Sequence, residues 1–115
     1  MRVKKVRYTE HIPGKVDYHY IAFLTASGEV LLMGHFLTAG HANKVANGIM
    51  SGKKSSSTFI PFPGVFIYER EKYDENFVNM VKAGEITNCI VVENAPESIE
   101  ELRHFAGAIL KEPPN

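Results

Sequence analysis

The stretch NGIMSGKKSSSTF, running from Asn47 to Phe59, holds the residue types that cradle a phosphate: glycines, two lysines and a run of hydroxyls. A phosphate-binding loop of the Gly-x-x-x-x-Gly-Lys-Ser/Thr kind uses backbone amides and a lysine around the phosphates, and a hydroxyl on the metal. Set on that motif through Gly52 and Lys53, the chain has Asn47 where the first glycine belongs. It has Lys54 where the hydroxyl belongs. The flanks are inverted as well, with a helical pattern before the loop and an extended one after it. The stretch therefore reads as a boundary. Gly52 ends a helix in a left-handed cap, and Lys53 and Lys54 open a polar connector.

The five histidines are His11, His19, His35, His41 and His104. His35 and His41 straddle a strand-to-helix junction, and His19 on the neighbouring strand would complete a three-ligand set for zinc. No HxH, HxxxH or HExxH spacing occurs, so these histidines read as surface or core residues and no metal is expected. Cys89 lies inside the apolar run NCIVVEN and reads as a buried, inert thiol. No serine sits in a nucleophile motif. No cofactor is expected, and enzymatic activity is not favoured, although catalytic groups need not be neighbours in sequence.

Two sets of residues suit binding. Phe59, Phe62, Phe66 and Tyr68 crowd the segment FIPFPGVFIY, where Pro61 and Pro63 brace the backbone. Aromatic anchors on a stiff segment make good interface centres. The cations Arg2, Lys4, Lys5, Arg7, Lys15, Lys53 and Lys54 would serve an anionic ligand, nucleic acid or nucleotide, with Tyr18 and Tyr20 as stacking partners on a sheet face. The pI of about 7.0 is low for a nucleic-acid binder.

These residues need a scaffold, and the patterning describes one. RVKKVRYTE, with cations on both faces of an alternating pattern, suits a strand at a sheet edge. Val16 to Thr25 and Glu29 to His35 form a hairpin through a short ASG turn. Tyr18, Tyr20, Ala22 and Leu24 share one face of the first strand, and Asp17, His19, Ile21 and Phe23 the other, so this strand belongs at the sheet centre. Ala39 to Met50 is helical, capped by Thr38, with Ala42, Val45, Ala46 and Ile49 as a narrow stripe that would lie against a sheet or a second copy. Thr58 to Ile60 is a short strand or extended arm, and Val65 to Glu69 is the next strand. A short helix follows, capped by Asp74, facing the core with Phe77, Val78 and Val81, and stopped by Gly84. Ile86 to Val92 is a buried strand. A last helix begins at a capping box of Asn94 and Glu97 and carries Ile99, Leu102, Phe105, Ala106, Ile109 and Leu110 inward. The result is an α+β fold: a mixed, mainly antiparallel sheet of about five strands with two or three helices packed on it.

The 115 residues suit one domain spanning 1–115, long enough for a core without metal or disulfide support. The N-terminal segment is charged, and no apolar run approaches the roughly 20 residues of a membrane span. A cytoplasmic location and no membrane partner are expected. Residues 1–54 hold eight Lys/Arg against three Asp/Glu, a net +5, and residues 55–115 hold five against ten, a net −5. The reading that joins these observations is a small binding module that acts by protein association, with itself or another protein. Binding of an anionic ligand through the basic half is the alternative, and a small histidine-dependent enzyme comes third.

Overall fold

The computed structural model describes residues 2–52 and 70–112. Its elements are β1 (Lys4–Arg7), β2 (His19–Thr25), β3 (Val30–Phe36), α1 (Ala39–Met50), α2 (Arg70–Lys82), β4 (Ile86–Glu93) and α3 (Ile99–Leu110). Among the described residues four strands, where about five were expected for the whole chain, make one mixed sheet in the order β1-β4-β2-β3. The β2–β3 and β2–β4 pairs are antiparallel and the β1–β4 pair is parallel. The short strand or arm expected at Thr58–Ile60 and the strand expected at Val65–Glu69 lie outside the described residues.

The period-two pattern of the strands sorts the core into two layers. Ile21, Phe23, Met33 and Val91 point to the face covered by α1 and α2, where they meet Val45, Ile49, Phe77 and Val78. The Phe23 and Phe77 rings stack at 4.4 Å. Tyr20, Ala22, Leu32, Ile90 and Val92 point to the opposite face and meet Leu102, Ala106 and Leu110 of α3. Burial on both faces explains why β2 and β4 carry apolar residues almost continuously. As its pattern requires, β2 is central, and the cationic β1 lies at an edge.

Helix α1 has the bounds the sequence indicates. Thr38 caps it by accepting from the His41 amide, and Gly52 follows it at φ +75° while its amide donates to Ile49. Ala42, Val45, Ala46 and Ile49 are fully buried, so the small-residue face is spent on the sheet. Asn43 and Asn47 on α1 tie down the start of the chain. Asn47 Oδ1 accepts from the Val3 amide at 2.8 Å, and Asn43 Nδ2 donates to the Val3 carbonyl at 3.2 Å.

Two helix starts differ from expectation. Helix α2 begins at Arg70, so Asp74 lies inside it rather than at its cap. Gly84 does end it, in the left-handed region. Helix α3 is capped by Ser98, whose side chain accepts from the Glu101 amide, and not by Asn94. Asn94 instead adopts φ 52° in the preceding turn and donates its Nδ2 to the Thr9 carbonyl at 2.8 Å.

Candidate functional site

The two edges of the sheet are built differently. Strand β1 presents Lys4, Lys5 and Arg7, all exposed. Charged side chains on an edge discourage another strand from pairing there. Strand β3, VLLMGHF, carries no lysine, arginine, acid or proline along seven residues. Among the described residues it is the bare edge.

Its hydrogen-bond phase follows from the hairpin. The Thr25 amide donates to the Glu29 carbonyl at 2.9 Å, and the Gly28 amide donates to the Thr25 carbonyl at 2.9 Å. Hydrogen-bonded and non-hydrogen-bonded pairs alternate along an antiparallel ladder. With Thr25 opposite Glu29, the next pairs are Leu24–Val30, Phe23–Leu31 and Ala22–Leu32. Val30 and Leu32 therefore turn their backbone groups away from β2, toward the outside. Arg103 of α3 takes one of these groups, its Nε donating to the Val30 carbonyl at 3.3 Å. The amide and carbonyl of Leu32 have no partner among the described residues.

A groove of about 380 Å³ runs along this edge, walled by Asn76, Phe77 and Met80 of α2 and by Arg103, with Leu31 on its floor. On the α3 side, a second hollow of about 500 Å³ lies between Glu29 and Val30 of the hairpin and Arg103, His104 and Lys111. Leu31 is half-buried and its neighbours Val30 and Leu32 are buried. The close fit of β3 on β2 leaves little freedom: a Cβ added at Gly34 would stand 2.4 Å from the ring of Tyr20.

The opposite end of the sheet holds a larger cleft, about 660 Å³, where the chain leaves β1 and β4 and enters α3. Tyr8, Asp17, Tyr18, Asn94 and Glu101 line it. The Tyr8 hydroxyl donates to Glu101 Oε1 at 3.0 Å. That bond to a carboxylate raises the Tyr8 hydroxyl above the ordinary tyrosine value, because ionising it would set two anions together.

The residues singled out in the sequence are dispersed. Phe59, Phe62, Phe66, Tyr68, Lys53 and Lys54 lie outside the described residues. Arg2, Lys4, Lys5 and Arg7 gather at the β1 edge, split between its two faces, and Arg7 pairs with Glu10 at 3.3 Å. Lys15 is apart from them, 3.8 Å from Glu97. Tyr20 is buried under α3, so no open aromatic sheet face forms with Tyr18. Among the described residues no three His, Cys, Asp or Glu side chains are grouped to hold a metal. His19 is buried, and its Nδ1 accepts from the Asn94 amide at 3.3 Å, which leaves the ring proton on Nε2. Burial lowers its pKa, against smaller opposing pulls from Glu93 and Asp17. Cys89 is buried and its thiol is pushed up by desolvation. No helix among the described residues is long and apolar enough to cross a membrane.

The β3 edge did not stand out in the sequence as an association surface. Its signal was the contrast between VLLMGHF and KKVR, which means something only once both are known to be edges. Comparison with known proteins adds nothing further: no family model, no curated protein and no solved structure matches the chain.

Proposed function

We propose that the protein is an association module that pairs with a second copy of itself through the β3 edge. The observation that carries this reading is the edge left unguarded among the described residues, with the amide and carbonyl of Leu32 turned outward. Unpaired edge groups are a template for another strand, which gains main-chain hydrogen bonds by adding there. Antiparallel pairing of two identical strands about a two-fold axis at Leu32 is self-complementary, as a closed dimer requires. Each Leu32 amide then donates to the Leu32 carbonyl of the other copy. Leu31 of one copy comes opposite Met33 of the other, beside the α2 wall of the groove, and buries its remaining exposed surface.

Static light scattering tests this. The wild-type protein should run as a dimer whose population rises with concentration. Leu31→Lys puts a charge on the edge at a half-buried position and should shift the protein to monomer. A wild-type monomer at all concentrations, or a Leu31→Lys variant that dimerises as well as wild type, contradicts the reading.

A second reading, binding of nucleic acid or a nucleotide, rests on Lys4 and Lys5, which are exposed and form no ion pair among the described residues. It requires affinity that falls steeply with added salt, as counterions are released from the phosphates.

A further inference from the structure

The cleft at the far end of the sheet from α1's C-terminus is independent of the edge, and its lining is specific. Four large hydrophobic side chains are exposed among the described residues: Ile12, Val16, Tyr18 and Leu37. Three of these, Ile12 at 48%, Val16 at 63% and Tyr18 at 40%, line this one cleft. Exposed apolar groups that converge on a concavity mark a binding site more strongly than the same groups scattered. The Tyr18 ring is held by contact with His35 at 4.3 Å, and the Tyr8 ring by edge-on contact with Phe105 at 5.0 Å. Both walls are therefore set before any ligand arrives.

The polar lining gives the sign of the ligand. Asp17, Glu97 and Glu101 line the cleft with one lysine, Lys15, which lies 3.8 Å from Glu97, while Asp17 Oδ2 meets the His11 ring at 2.7 Å and leaves its other oxygen open among the described residues. The N-terminus of α3 opens here and would by itself attract an anion. It is already answered by the Ser98 side chain and by Glu100 and Glu101 in the first turn, so a further anion would meet carboxylates. Glu101 has one oxygen engaged by Tyr8 and the other without a partner among the described residues. Asn94 lines the cleft too, and it is 9% exposed. Its Nδ2 is spent on the Thr9 carbonyl, while its Oδ1 accepts no hydrogen bond among the described residues. A buried acceptor left open costs stability unless something donates to it. The cleft thus offers acceptors, carboxylates and tyrosine faces beside an apolar ledge.

We propose that this cleft binds an organic ammonium group carried on an apolar body: the ammonium at Glu101, Asp17 and the tyrosine faces, the body on Ile12 and Val16. Attraction of a cation to a tyrosine face adds to the carboxylate term, and it is stronger where water is partly excluded. The volume of about 660 Å³ admits a ligand of small-molecule size.

Titration of the ¹⁵N-labelled protein with four hexyl probes separates the possibilities. Hexylamine and hexyltrimethylammonium should shift the amides of Tyr18, Asn94, Ala95 and Glu101. Hexanoate and hexanol should shift them weakly or not at all. Glu101→Gln and Asp17→Asn remove one charge each while keeping an oxygen for Tyr8 and for His11, and each should weaken hexylamine about threefold to tenfold. Ile12→Ser should weaken both cations. Equal binding of hexanoate or hexanol, shifts centred elsewhere, or no shift with any probe overturns the proposal. A dimer that forms normally in any of these cases leaves the edge reading standing, so the two fail separately.

Discussion

His19 shows how one buried side chain ties distant segments together. Its Nδ1 accepts the Asn94 amide across 75 residues of sequence, and only the neutral ring can do so. The unfolded chain binds a proton near the ordinary value of 6.5, whereas burial depresses the folded value. Between the two, the unfolded state holds more protons, so stability falls as pH drops below about 6.5 toward the folded value. The contribution is fully present above 6.5. His19→Gln keeps an acceptor for the Asn94 amide and removes the titration. Urea melts through this pH window should show a shallower loss of stability in His19→Gln than in wild type. Part of the slope should remain, because burial lowers the pKa of His35 as well. In the sequence, His19 fell on the correct face of β2, beside Ile21 and Phe23, but its role was hidden. A partner in a turn near the far end of the chain leaves no trace in local spacing.

The start of one helix illustrates what an element reveals in advance. Asn94 and Ser98 each precede a glutamate by three residues, so each fits a capping box. Composition cannot choose between them. The choice is made by Asn94, whose left-handed backbone and bond to Thr9 commit it to the turn. Ser98 is left to cap α3. Ser98→Ala should cost about 1 kcal/mol in denaturant unfolding, and Glu97→Ala should cost almost nothing, the reverse of what an Asn94 box would give. Helix α1 was legible to the residue because Thr38, the buried stripe and Gly52 agree with each other. Asp74 misled for the opposite reason. A good capping residue inside a helix looks like a start when the residues before it carry no clear apolar period.

At the scale of the molecule, the fold class was legible and the strand order was not. Strand β1 pairs in parallel with β4, uniting the first strand with the last described one. No short-range pattern specifies that pairing, although the cations of β1 and the two-sided apolarity of β4 rightly marked an edge and a centre. Among the described residues the opposite charges of the two halves are only lightly engaged. Of the ion pairs among the described residues, Lys15–Glu97 alone joins the basic half to the acidic half. Among the described residues the order β1-β4-β2-β3 leaves one charged edge and one bare edge, and the association reading rests on that asymmetry. The most direct test is hydrogen exchange at the Leu32 amide, followed in dilute and in concentrated solution. An outward amide on an open edge exchanges quickly, and one paired across a dimer is protected. Protection of Leu32 that grows with protein concentration, while the amides of β2 stay unchanged, is the expected result. A Leu32 amide that exchanges at one rate at every concentration would contradict the account.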